Sequence, residues 1–351
     1  MTDPLTSLLA ERPWLLADGA TGSNLFNRGL QSGDAPELWN ADRPEDIAWL
    51  GRSFIEAGAD IILTNSFGGT RYRLKLHKAS DRVGELNEKA AAIARGEADR
   101  AGRRVLVAGS IGPTGEILEP LGPLSLDDAR EAFAEQAAAL ARGGADVLWI
   151  ETMSSVEETE AAVAGARTAG LPVVATLSFD TNGRTMMGIT PSELAGLHRK
   201  HHLAACGSNC GVSPSELVAS IINLAAASES SAVLVAKANC GIPKYVDGAI
   251  RFDGTPELMA VYAGLALDAG ARIIGGCCGT SPEHLKIMRK ALESHVPGPK
   301  PDLETIQARL GAVSTGAAAQ LRGEMGRQAG AAPGAAGRRS TGRRGTRESR
   351  D

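Results

Sequence analysis

Short apolar runs recur along this chain, each followed by a stretch whose apolar positions repeat with helical spacing. The runs are Trp14–Asp18, Asp60–Thr64, Val105–Ser110, Asp146–Glu151, Pro172–Ser178, Ala204–Asn209, Ala232–Ala238 and Ala271–Gly276. Most are continuous rather than alternating, the pattern of parallel strands buried on both faces. The helical stretches lie near residues 45–57, 82–101, 126–142, 156–168, 191–200, 214–228, 255–268 and 281–294. Thr190-Pro191-Ser192-Glu193 and Ser213-Pro214-Ser215-Glu216 each place a capping hydroxyl before proline and add the glutamate of a capping box. Ser281-Pro282-Glu283 repeats the hydroxyl and the proline. Eight such units predict an α/β chain folded as a (β/α)8 TIM barrel over residues 1–310. A doubly wound open sheet is the competing topology.

A barrel carries its chemistry just after the strands. Unusual polar phrases fall there: Asp18-Gly-Ala-Thr-Gly22, Thr64-Asn-Ser-Phe67, Gly109-Ser-Ile-Gly-Pro-Thr114, Glu151-Thr152, Asn209-Cys210 and Gly276-Cys-Cys278. Beyond residue 310 the periodicity ends. Residues 311–351 are rich in Gly, Ala and Arg, which predicts a disordered tail.

Composition narrows the class. The net charge of -4 gives no reason to expect nucleic acid or an anionic membrane as partner. It is unevenly spread: eight arginines and three acids give residues 311–351 a charge of +5, which leaves -9 for the rest. There is no apolar run of the roughly 18 residues that a membrane span needs. Met1-Thr-Asp-Pro lacks the basic and apolar regions of a signal peptide. Five cysteines without such a signal suit a reducing cytoplasm rather than a disulfide framework.

Three of those cysteines stand at strand ends. Cys210 follows the sixth run, and Cys277 and Cys278 follow the eighth, flanked by Gly275, Gly276 and Gly279. Adjacent cysteines can face one ion only where the backbone bends sharply, which glycine permits. Three thiolates form a soft donor set suited to zinc, with a fourth position left for a ligand. Cys206 reads as core, and Cys240 as a thiol near the mouth that could serve as a redox switch. Asp18 and Glu151 end buried runs, where two carboxylates could bind a substrate ammonium, and the Gly19 turn could offer backbone amides to a carboxylate. Trp39, in the long segment after the first run, is either a face for a quaternary ammonium or an anchor for its own loop.

These phrases, in order from about residue 10 to 296, resemble the homocysteine S-methyltransferases. Gly275-Gly-Cys-Cys-Gly-Thr280 is the most specific of them. The resemblance implies a (β/α)8 barrel with zinc held by Cys210, Cys277 and Cys278 as the catalytic centre. It also implies homocysteine methylated to methionine, with Asp18 and Glu151 on its amino group. The expected substrate-binding set is Asp18, Gly19, Glu151, Asn209, Phe67 and Trp39. Bacterial betaine–homocysteine methyltransferases are the most similar members, so glycine betaine is the first donor expected. S-methylmethionine, or a cobalamin or folate donor on separate subunits, are the alternatives. In the vertebrate betaine enzymes aromatic residues follow the second-strand phenylalanine and the fourth-strand glutamate, whereas Gly68 and Thr152 stand there in this chain. The partners implied are small molecules, with association into a homo-oligomer left open. The non-enzyme alternatives are a subunit that only presents homocysteine and a thiol-sensing zinc protein.

Overall fold

A computed structural model describes residues 3–246 and 249–324. The continuous apolar runs become strands because both of their faces are covered. They are β1 (Leu15–Leu16), β2 (Ile61–Leu63), β3 (Leu106–Ile111), β4 (Val147–Met153), β5 (Val173–Leu177), β6 (Ala205–Cys210) and β7 (Leu234–Ala238). A short antiparallel pair, β8 (Pro243–Val246) and β9 (Ala249–Phe252), precedes β10 (Ala271–Gly276). All but that pair form one parallel sheet in the order β1-β10-β7-β6-β5-β4-β3-β2. A parallel bridge from Ala17 to Ile61 completes the ring. There the Asp60 N–H donates to the Leu16 carbonyl at 2.7 Å and the Asp18 N–H to that of Ile61 at 3.0 Å. This closure makes the sheet a barrel and excludes the doubly wound alternative.

Helices surround the barrel. In chain order they are α1 (Pro4–Glu11), α2 (Gly22–Phe26), α3 (Trp39–Asp42), α4 (Pro44–Glu56), α5 (Arg71–Lys75), α6 (Val83–Asp99) and α7 (Leu126–Arg142). Then follow α8 (Val156–Arg167), α9 (Pro191–His201), α10 (Pro214–Ala227), α11 (Pro256–Asp268), α12 (Pro282–Glu293), α13 (Leu303–Leu310) and α14 (Thr315–Leu321). None of them is long and apolar enough to cross a membrane. The apolar core has two layers. Leu15, Ile61, Ala108, Trp149 and Val235 pack together inside the barrel, while Leu16, Ile62, Val107, Leu148 and Ala236, their neighbours along the strands, pack with the helices outside. This alternation gives every second strand residue to the interior.

Gly207 of β6 lies against β7 so closely that a Cβ there would stand 2.0 Å from the Val235 carbonyl oxygen. Backbone cannot yield as a flexible side chain can, so Gly207→Ala is expected to cost about 3 kcal/mol, the upper part of the usual overpacking range. Urea denaturation checks this, and a loss below about 1 kcal/mol would mean that the strands separate easily.

Local start signals act as the sequence predicts in α9, where Thr190 and Glu193 form the full capping box. In α10 the Ser213 hydroxyl accepts from the Glu216 N–H, but the Glu216 carboxylate does not return to the cap. It accepts instead from the Ser314 backbone N–H and hydroxyl. Gln320 donates to the Gly183 carbonyl at 2.8 Å, and Ala317 and Ala318 are buried. The packed chain therefore continues past the boundary expected at residue 310, because a carboxylate on α10 captures the first turn of α14. Residues 325–351 of the expected tail lie outside the described residues.

Candidate metal and substrate site

Cys210 ends β6, and Cys277 and Cys278 directly follow β10. These strands are not adjacent; β7 lies between them. The loops nevertheless converge, and the three sulfur atoms lie within 4.8 Å of one another. Cys210 Sγ stands 4.0 Å from Cys278 Sγ. Four-coordinate zinc with Zn–S bonds near 2.3 Å needs sulfurs about 3.8 Å apart, so the residues present fit that ion. Sequence spacing alone could not establish this convergence.

The backbone supports the convergence. Cys210 has φ 61°, in the left-handed region, and Gly211 and Gly279 follow with φ 77° and 79°. The turn after β10 is tight: the Thr280 N–H donates to the Cys277 carbonyl at 3.1 Å. A Cβ at Gly276 would meet the Thr280 side chain at 2.3 Å, so only glycine fits inside this turn. Asn239, just after β7, ties the two cysteine loops together. Its Oδ1 accepts from the Cys278 N–H at 3.1 Å and its Nδ2 donates to the Gly211 carbonyl at 2.5 Å. Sequence reasoning passed over Asn239, although its place at a strand end was the available signal.

The three thiols share protons unequally. Hydrogen bonds from Cys277 and Cys278, with help from Asn239 and the Gly211 N–H, pull the Cys210 thiol well below the ordinary range. The same contacts with Cys210 hold Cys277 and Cys278 above it. Cys206 is fully buried in the core, as expected, and burial pushes its thiol up to about 12. Cys240 is also buried, with its sulfur donating to the Gly254 carbonyl at 3.3 Å, and burial pushes it up to about 12. It stands outside the sulfur group.

Asp18 and Glu151 are both buried. Asp18 Oδ2 accepts from the Leu63 N–H, and Oδ1 from the ammonium of Lys237, each at 2.7 Å. Glu151 Oε1 accepts from the Ser110 hydroxyl at 2.5 Å. Burial, with a smaller push from Cys277, raises the Glu151 carboxyl to about 7 against the pull of Lys237. Lys237 was missed at the sequence level, because its run reads as an apolar strand. Gly19 joins β1 to the cysteine turn: a Cβ there would stand 2.7 Å from the Thr280 carbonyl, which accepts from the Ala20 N–H at 3.0 Å.

The remaining expected residues differ in place. Asn209 is fully buried with its amide committed. Its Oδ1 accepts from the Thr152 N–H and the Thr176 hydroxyl, and its Nδ2 donates to the Thr152 hydroxyl and reaches Cys277 Sγ at 3.9 Å. It braces the Glu151–Thr152 segment, where Thr152 holds φ 63°. Phe67 is half-buried and covers Gly112, where a Cβ would touch its ring at 2.6 Å. Trp39 is buried in the outer core, and the Arg43 guanidinium covers its ring at 3.9 Å from the centroid. The guanidinium takes one face of the ring, and the burial of Trp39 is consistent with an anchor for its own loop. His284 caps α12, its Nδ1 accepting from the Ser281 N–H at 3.2 Å.

A sequence model of the family described as homocysteine S-methyltransferase matches residues 15–292, the whole span from β1 to α12. The chain belongs to the homocysteine S-methyltransferase family. Methionine synthase from Mycobacterium tuberculosis is 32% identical over 82% of this chain, and that from Mycobacterium leprae is 29% identical over the same share. In each case the match covers 25% of the relative, so the chain spans a quarter of the length of these curated relatives. Among solved structures, the homocysteine methyltransferase MmuM from Escherichia coli in its metallated form is similar at a TM-score of 0.68 and 26% identity, covering 82% of this chain and 99% of that one. Its oxidized form is similar at a TM-score of 0.67. The homocysteine S-methyltransferase barrel and the sulfur group thus occur together here, at the strand ends where such a barrel carries its chemistry.

Proposed function

We propose that this protein transfers a methyl group to the sulfur of homocysteine, giving methionine, with zinc held by Cys210, Cys277 and Cys278. The observation that carries the reading is the group of three sulfurs within 4.8 Å, at the same barrel mouth as two buried carboxylates. Zinc in that site would supply a soft Lewis acid that keeps a substrate thiol deprotonated at neutral pH. The chain's own residues then orient the substrate. Glu151, steadied by Ser110, and Asp18 accept hydrogen bonds from the substrate ammonium, while Asn209 and Asn239 hold the loops that carry the thiols. The C–S bond forms as the bond from the methyl carbon to the donor heteroatom breaks, and the electron pair leaves with the donor. No general base on the methyl group is needed; placement in line supplies the rate. The thiols require a reducing compartment, which the cytoplasm provides.

Glycine betaine is the first donor in this reading, since it departs as neutral-nitrogen dimethylglycine, and S-methylmethionine is the second simple one. A specific set of observations favours a further reading, a methyl group brought on a cofactor by another protein. The positions where aromatic residues would surround a quaternary ammonium are committed elsewhere: a Cβ at Gly68 would meet the Glu37 carboxylate at 2.9 Å, and Thr152 is held by Asn209. Large apolar side chains are also exposed on segments that follow barrel strands, among them Phe26, Ile117, Leu121, Met186, Met187 and Ile242. Methionine formation by reduced, zinc-loaded protein, with homocysteine and each donor in turn, tests both. Turnover with betaine selects the first reading. Homocysteine binding without turnover on any free donor selects the second, and failure to bind homocysteine rejects the proposal.

The raised Glu151 carboxyl gives a pH dependence. Below about 7 the group is neutral and cannot pair with an ammonium; above it the carboxylate is available. The KM for homocysteine is therefore expected to fall as pH rises from about 6 to 8, by up to roughly tenfold for one charge-assisted hydrogen bond. In Glu151→Gln that part of the pH profile should flatten and KM stay high. An unchanged inflection in the variant would assign the titration to another group.

A further inference from the structure

Lys237 is the only lysine or arginine found buried among the described residues, with 2% of its side chain exposed. It lies in β7, paired with Asn209 of β6 on one side and Gly275 of β10 on the other. Its neighbours along the strand, Ala236 and Ala238, pack outward with the helices. Lys237 itself enters the barrel, where its ammonium stands 5.7 Å from the centroid of the Trp149 ring. Its one hydrogen-bond acceptor among the described residues is Asp18 Oδ1, at 2.7 Å. Since Asp18 Oδ2 takes the Leu63 N–H, both carboxylate oxygens are held and the group cannot turn. Glu151 lies within electrostatic range of the same ammonium.

Burying an ammonium is costly unless it is paired, so a lysine at this depth needs an anionic neighbour. Asp18 alone supplies one. The second carboxylate changes the balance: Asp18 and Glu151 ionised with Lys237 leave one negative charge over. Without the lysine nothing would hold Asp18 Oδ1, and two carboxylates would repel each other across a single substrate ammonium. We propose that Lys237 is a positioning residue for substrate binding, which clamps Asp18 and sets the Asp18–Glu151 pair to one net negative charge, matching the single α-ammonium of an amino-acid thiol. The proposal rests on the homocysteine reading above. It makes Lys237 a determinant of specificity: the site reads the amino group of its substrate through a carboxylate pair balanced from beneath.

The test compares homocysteine with 4-mercaptobutanoate, which has the same thiol and carboxylate but no amino group, on zinc-loaded protein. The variants are Lys237→Met, Lys237→Gln, Asp18→Asn and Asp18→Asn with Lys237→Met. Lys237→Gln keeps a donor toward Asp18 without the charge, and serves if the methionine variant does not fold. Loss of the lysine charge should raise the homocysteine KM about tenfold or more while kcat and zinc content stay within roughly twofold, the signature of lost binding. Binding of 4-mercaptobutanoate should change by less than about threefold, and in the Asp18→Asn background the lysine substitution should add little, as expected for residues that act together. Equal weakening of both thiols, full additivity with Asp18→Asn, or a wild-type KM in Lys237→Gln would each overturn the proposal. Wild-type protein that binds no homocysteine would instead overturn the functional reading on which it rests.

Discussion

Alanine at Cys210, Cys277 or Cys278 is expected to empty the metal site and abolish methyl transfer. Each substitution leaves two sulfurs of a group whose three atoms lie within 4.8 Å. Losing a direct ligand costs more than the roughly 10–100-fold in metal affinity that losing an outer partner costs. Zinc measured after gel filtration should fall well below one per chain, and methionine formation should drop below detection. Cys206→Ala and Cys240→Ala are the controls, since both sulfurs stand outside the group, and each variant should retain its zinc. A triple variant at residues 210, 277 and 278 that kept stoichiometric zinc or full activity would sink the metal assignment.

The second large effect concerns stability. Asp18→Ala removes the one hydrogen-bond acceptor that Lys237 has among the described residues and leaves its ammonium buried with only the Glu151 carboxyl within electrostatic range. Both side chains of the pair are at most 5% exposed, so solvent does little to screen the loss. Removing one partner of a buried ion pair costs about 3–5 kcal/mol. Urea denaturation of the metal-free protein measures this apart from any change in zinc binding. Adding Lys237→Met to Asp18→Ala should recover part of the loss, because the uncompensated charge is then gone. A single variant that loses less than about 1 kcal/mol would show that Glu151 or water replaces Asp18 at no cost.

The two predictions draw on different depths of information. The cysteine site was legible because each part of its signal is local. A strand end, a glycine-flanked Cys277-Cys278 pair and a second cysteine after another strand can each be read within a few residues. The capping signals of α9 were legible for the same reason, since Thr190 and Glu193 lie one helical turn apart. The Ser213–Glu216 signal looks identical in sequence, yet its glutamate goes to Ser314, 98 residues away. A capping box competes with any other donor that the fold brings near, and local pattern carries no record of that competitor.

By itself the sequence determined the alternation of strand and helix, the placement of polar phrases at strand ends, and the three cysteines with glycines to bend around them. These follow from short-range sterics and from apolar periodicity, which act residue by residue along the chain. Only the tertiary structure decided that the ring closes at Ala17 and Ile61, that sulfurs from β6 and β10 meet across β7, and that Lys237 pairs with Asp18 across 219 residues. An apolar strand with one lysine fits a solvated edge or a buried ion pair equally well until its neighbours are known. Electrostatic pairing depends on distance in space and on exclusion of water, and both are set by the order of strands around the barrel.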